Sequence, residues 1–126
     1  MSEMSDATSH FLKGVKELKS AEELLSIGHV SEGLRRCKTA FTYLAKTYLL
    51  LNKKPFIGIT NPHYIASLLY ELGEEEVFRL ISSAEVEGIK DEAGAAEKYL
   101  IACRKLLELI KAVDPYLDVS SKTYIF

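Results

Sequence analysis

The sequence predicts an all-α protein, an up-and-down bundle of four to five helices with an extended C-terminal tail. Apolar residues recur at helical spacing along nearly the whole chain, and no stretch shows the alternation that is typical of a strand. The chain has 126 residues, of which 48% are hydrophobic and 27% charged, an ordinary size and composition for one folded domain. We therefore expect a single domain over residues 1–126, with the tail at 114–126.

The first two helices are predicted to form an antiparallel pair. The first is expected to run from Asp6, as its N-cap, to about Ile27. Gly28 then suits the left-handed conformation that commonly ends a helix. Because the connection is short, the second helix, from Ser31 to about Asn52, should pack back against the first.

The second helix carries two apolar stripes. The first follows heptad-like steps of four and three residues, and the second widens the apolar face beyond what one neighbouring helix would cover. We interpret this helix as central to the bundle and as the lining of a homodimer interface. The residues predicted at that interface are Ala40, Tyr43, Thr47 and Leu50.

Local signals mark three further helices. Asn61 and Pro62 are typical of the N-cap and first residue of a short helix, which Gly73 should end. Residues 74–76 are glutamates, which are favoured at the start of the next helix. Asp91 is expected to cap the last long helix. The five helices are thus predicted near residues 6–27, 31–52, 62–72, 74–87 and 91–113.

The charges are segregated, although the formal net charge is only −2. Residues 33–70 contain six basic side chains and no acidic one, whereas residues 71–97 contain nine acidic and two basic ones. This asymmetry indicates an electrostatic partner or complementary packing within an oligomer, the alternative being two solvated helix faces. The basic residues expected to bind phosphate or an acidic partner are Arg35, Arg36, Lys38 and Lys46.

The sequence lacks the residue patterns that several kinds of metal, cofactor and catalytic site require. His10, His29 and His63 lie far apart and outside any Glu-x-x-His pairing of the kind that builds a di-iron site. There is no Gly-rich phosphate loop, nucleophile elbow or zinc-ligand cluster, so we expect neither a metal nor a cofactor. Cys37 and Cys103 are interpreted as small apolar core residues, with a buried disulfide as the alternative.

The sequence also predicts the compartment and the closest helix contacts. No apolar run approaches the length of a membrane span, and the N-terminus lacks the pattern of a secretory signal, so we expect a cytoplasmic protein without a membrane partner.

Gly14, Gly33 and Gly94 lie inside predicted helices, where glycine costs about 1 kcal/mol relative to alanine. We interpret them as points of close helix contact.

Four segments resemble those of a known family in order and spacing. Residues 21–28 (AEELLSIG) and 32–50 are similar to its first helix, glycine turn and long second helix. Residues 61–63 (NPH) match its opening to the third helix, and residues 79–85 (RLISSAE) match its Arg-containing segment. Over roughly residues 11–112 the chain resembles the HEPN domain family (higher eukaryotes and prokaryotes nucleotide-binding), in its small stand-alone prokaryotic branch.

The resemblance implies a helical bundle, commonly dimeric, that either cleaves RNA or partners a small nucleotidyltransferase, often as a toxin–antitoxin pair. RNA-cleaving members have an arginine followed within a few residues by a histidine, but no histidine follows Arg79 or Arg104 in this sequence. We therefore expect a noncatalytic, dimeric module that binds a partner protein, such as a nucleotidyltransferase, or a nucleotide or RNA. Two alternatives remain: a metal-free ribonuclease that uses Arg79 with His63, and a purely structural oligomer.

Overall fold

Five helices of ten or more residues form a bundle in the computed structural model, which describes residues 3–57 and 61–117 of the chain. They are α1 (Glu3–Ser26), α2 (Val30–Leu51), α3 (Pro62–Glu71), α4 (Glu75–Glu87) and α5 (Glu92–Val113). No strand occurs among the described residues. The predicted all-α bundle is confirmed.

The α1–α2 pair is antiparallel, as the short connection predicted. Gly28 has φ +85°, the left-handed conformation, and the backbone amide of His29 donates to the carbonyl of Leu24 at 2.9 Å. A Cβ added to Gly33 would lie 2.8 Å from Cγ of Leu25, and one added to Gly14 would lie 2.8 Å from Cγ of Leu44. These two glycines therefore mark close helix contacts, as expected.

The start of α1 differs from the prediction. The helix begins at Glu3, so Asp6 lies inside it and is not its N-cap. The backbone carbonyl of Asp6 accepts a hydrogen bond from Nδ1 of His10 at 2.7 Å. The apolar face also continues towards the N-terminus through Ala7, which is buried with Phe11, and this packing supports the extra helical turn.

Helix α2 occupies the centre of the bundle, where it packs against α1, α5 and α3. Its predicted heptad-like stripe lies in the core, since five of the stripe's side chains are buried. These are Leu34, Cys37, Phe41, Leu44 and Tyr48. Across the core the ring of Tyr99 on α5 meets Phe41 edge-on, with 5.8 Å between the ring centroids.

The caps of α3 and α5 are formed by the residues that the sequence predicts. Oδ1 of Asn61 accepts from the backbone amides of His63 and Tyr64 at 2.8 and 3.1 Å, which caps α3. Gly73 has φ +92° and ends α3. The carboxylate of Asp91 accepts from the amide of Gly94 at 3.0 Å and caps α5.

The chain after α5 is helical where an extended tail was expected. Residues 115–117 form a helical turn, because Oδ1 of Asp114 accepts from the amides of Tyr116 and Leu117 and Pro115 takes the first helical position. Leu117 is buried against the core. The prediction of an extended tail is wrong for these residues, and its remainder, 118–126, lies outside the described residues.

Candidate anion-binding site

A groove of about 360 Å³ runs along the exposed side of α2. Its residues on α2 lie three, four, seven, eight and eleven positions after the first one, Arg35, which places them on one face of the helix. They are Arg35, Lys38, Thr39, Thr42, Tyr43 and Lys46, and Pro62 of α3 completes the lining. Three of the four basic residues predicted to bind phosphate therefore meet in one concavity.

Two of the three cations already have carboxylate partners. Arg35 donates through Nε to Glu32 at 3.0 Å and through Nη2 to the same carboxylate, and these hydrogen bonds lower the pKa of Glu32. Nζ of Lys38 lies 3.9 Å from a carboxylate oxygen of Glu85 on α4. Both pairs are exposed, so each is weak and open to exchange with another anion.

Lys46 differs from both, because its side chain is buried and no acidic partner of it lies among the described residues. It is only 7% exposed, and its Nζ lies 5.9 Å from the ring centroid of Phe56. Within residues 3–57 and 61–117, no carboxylate comes within ion-pair distance of this Nζ. Taking a charge out of water is costly unless a counter-charge compensates, and the aromatic ring compensates only in part. The groove therefore holds one positive charge more than its carboxylates neutralise.

Helix α1 adds polar groups beside the groove that sequence reasoning missed. The ring of Tyr43 packs against the ring of His10, with 5.9 Å between centroids, and Nζ of Lys13 lies 5.8 Å from the centroid of Tyr43. His10 and Lys13 are three residues apart and so share a face of α1. Only the antiparallel pairing of α1 with α2 brings that face to the groove.

Arg36 lies outside the groove, contrary to its predicted role. Its Nη1 donates to both carboxylate oxygens of Glu17 on α1, at 3.1 and 3.0 Å. Neighbouring residues on a helix point about 100° apart, so Arg36 faces α1 while Arg35 faces the groove. Arg36 acts as a link between the two long helices.

The stripe predicted to form the dimer interface is split by the fold. Ala40 and Thr47 are fully buried within a single chain, and the homodimer interface stays a prediction. Tyr43 and Leu50 remain partly exposed. The apolar width of α2 is thus explained largely by its three neighbours in the same chain.

The two residues considered for RNA cleavage, His63 and Arg79, contact different partners. Nη2 of Arg79 binds the carboxylate of Glu75, one turn earlier on α4, at 2.7 Å. The ring of His63 instead packs against Phe78, with 5.8 Å between centroids. In the described part of the chain, no hydrogen bond or ion pair joins His63 to Arg79.

Both cysteines are free thiols buried in the core, as their apolar interpretation predicted. Sγ of Cys103 lies 4.0 Å from the backbone carbonyl oxygen of Cys37, and the alternative of a disulfide is not realised. Burial raises the pKa of Cys37 to about 11 and raises that of Cys103 well above its usual value. Neither thiol is therefore suited to nucleophilic chemistry.

The basic and acidic blocks of the sequence meet within one molecule. Lys54 pairs with Glu71 at 2.8 Å, and Lys38 approaches Glu85 as described above. The hydroxyl of Tyr48 also donates to Glu74 at 2.8 Å. Part of the charge complementarity expected from a partner or an oligomer is thus satisfied inside the chain.

Residues 3–57 and 61–117 contain no candidate metal site and no candidate membrane span. No three or more His, Cys, Asp or Glu side chains among them are grouped so that they could hold a metal ion. None of their helices combines the length and the apolar character needed to cross a membrane. The chain matches no protein-family model, no curated protein and no solved structure.

Proposed function

We propose that this protein is a noncatalytic, HEPN-like binding module that captures a phosphate-bearing ligand, a nucleotide or RNA, in the groove of α2. The observation that carries the proposal is the buried Lys46, whose charge has no carboxylate partner among the described residues. A phosphate oxygen next to its ammonium group would supply the missing counter-charge in a site partly shielded from water.

The neighbouring groups support the same ligand chemistry. Lys38 and Arg35 lie on the same face of α2, and their exposed carboxylate partners can be exchanged for phosphate oxygens at little cost. Tyr43 offers a partly exposed aromatic ring in the same groove, a surface on which a nucleobase can stack.

We favour binding over ribonuclease activity because, among the described residues, His63 and Arg79 contact other partners and not each other. Metal-free RNA cleavage needs a positioned acid or base next to the reacting phosphate. Arg79 is engaged by Glu75, and the described residues that line the groove supply cations and hydroxyl groups, with no histidine or carboxylate among them. Such a lining suits ground-state capture of an anion.

The proposal is tested by fluorescence anisotropy with a short, labelled single-stranded RNA and with a labelled mononucleotide. The double variant Lys38→Met/Lys46→Met should weaken binding by at least about tenfold, since one hydrogen bond to a charged group contributes about 1.5–3 kcal/mol. The matched control is Lys105→Met on α5, whose ammonium group pairs with Glu76 away from the groove. Equal affinities of the wild type and the double variant would contradict the proposal.

Homodimerisation and capture of a partner protein, such as a small nucleotidyltransferase, stay predictions. Leu50 is the partly exposed apolar residue left on the predicted interface of α2, next to a shallow hollow of about 280 Å³. If the homodimer forms there, Leu50→Asp should shift the mass measured by size exclusion with light scattering from dimer to monomer. An unchanged mass would remove this face from the interface.

A further inference from the structure

The groove of α2 has the dimensions of a small-ligand site and not of an extended track. Its volume of about 360 Å³ lies near the lower end of the range for small-molecule pockets, roughly 300–1,000 Å³. Lys38 and Lys46 stand eight residues apart, about 12 Å along the helix. Their extended side chains can therefore converge on one anion placed between them.

The charge of the groove also distinguishes between kinds of phosphate. A phosphomonoester carries about −1.5 to −2 at pH 7 and presents three free oxygens, whereas a phosphodiester carries −1 and presents two. Resting on the proposed function, we propose that the groove is selective for a terminal phosphomonoester, such as a nucleotide 5′-phosphate, over an internal phosphodiester.

Lys46 supplies the attractive part of this selectivity. Its side chain is only 7% exposed, it lines the groove, and its ammonium group lies 5.9 Å from the ring centroid of Phe56. Attraction between charges scales with the charge of the ligand and is stronger where water is excluded. The second negative charge of a monoester therefore gains most at Lys46.

The carboxylates of Glu32 and Glu85 limit what a diester gains at the other two cations. They neutralise Arg35 and Lys38 in the free protein, and a ligand must displace one of them to reach either cation. A monoanionic diester that pairs with Lys46 has little charge left to offset this displacement. A dianion pairs with Lys46 and also replaces the displaced carboxylate on the second cation, so both cations contribute to the affinity of the monoester.

The test is isothermal titration calorimetry with two probes that share base and sugar, uridine 5′-monophosphate and uridine 3′,5′-cyclic monophosphate. The first is a monoester and the second a diester. We expect the wild type to bind the monoester at least about tenfold more tightly. Lys46→Met should remove this preference, while the matched variant Lys105→Met should retain it.

The outcomes separate this inference from the proposed function. Equal affinity for both probes would overturn the monoester selectivity and leave phosphate capture standing. A preference that survives in Lys46→Met would overturn the role of Lys46. If neither probe binds and the labelled RNA of the anisotropy assay does not bind either, the proposed function itself fails, and the selectivity fails with it.

Discussion

Replacing Lys46 with methionine is expected to stabilise the fold while it removes a cation from the groove. Methionine keeps a flexible unbranched side chain of similar length and has a similar helix propensity, so the packing against Phe56 is largely retained. What is lost is a buried charge without a carboxylate partner. A residue kept for stability alone would show the opposite response, since its replacement would reduce the free energy of unfolding.

The expected change in the free energy of unfolding is the gain from removing the charge minus the loss of its contact with Phe56. Replacing a buried ion pair with well-packed apolar side chains leaves stability unchanged or raises it by about 1–4 kcal/mol, and the single charge of Lys46 corresponds to the lower part of that range. Loss of the cation–π contact with Phe56 offsets about 0.5–1 kcal/mol of this gain. We therefore expect a net gain of about 1–2 kcal/mol. For 126 residues, an unfolding entropy of about 2.1 cal/mol/K per residue converts each kcal/mol into about 4 °C, so Tm should rise by about 4–8 °C.

The assay is thermal unfolding followed by circular dichroism in a phosphate-free buffer. The exposed control Lys105→Met should change the free energy of unfolding by no more than about 0.5 kcal/mol. Adding uridine 5′-monophosphate should then raise the Tm of the wild type and leave that of Lys46→Met unchanged, because a ligand stabilises only the state that binds it. A Tm for Lys46→Met at or below that of the wild type would refute the reasoning.

Three further predictions concern the core and the ribonuclease alternative. Gly14→Ala should lower the free energy of unfolding, measured by urea titration, by up to about 2 kcal/mol. The added Cβ would meet Leu44 at 2.8 Å, and this crowding exceeds the gain in helix propensity. Unchanged stability would contradict this close contact. Cys37 and Cys103 should stay unreactive towards Ellman's reagent in the native protein at pH 8 and react only on unfolding. Both thiols are buried, and burial raises the pKa of Cys37 to about 11. Rapid labelling of the folded protein would show that the thiols are accessible. The purified protein should leave single-stranded RNA uncut, and RNA cleavage that is lost in Arg79→Ala would restore the ribonuclease alternative.

The parts of the fold that the sequence predicted depend on residues close together in the chain. Gly28 and Gly73 adopt the left-handed conformation where the helical pattern stops. Asn61 and Asp91 cap helices through amides two or three residues away. Such signals are local, so they can be recognised without knowledge of the packing.

The parts that the sequence did not predict depend on which helix lies against which face. Ala40 and Tyr43 belong to one apolar stripe, but the fold buries the first and leaves the second at the groove. Arg35 and Arg36 are adjacent, but only Arg36 meets α1. The ring of Phe56, on the α2–α3 connection, lies 5.9 Å from the ammonium group of Lys46, and no periodicity in α2 encodes that contact.

Capture of a phosphate in the groove is tested most directly by titrating the ¹⁵N-labelled protein with uridine 5′-monophosphate and following its amide resonances. The account predicts saturable shifts that centre on α2 between Arg35 and Lys46 and on the start of α3 near Pro62. It also predicts that these shifts are lost in Lys46→Met. Saturable shifts that centre on another surface, or resonances that do not move, would contradict it.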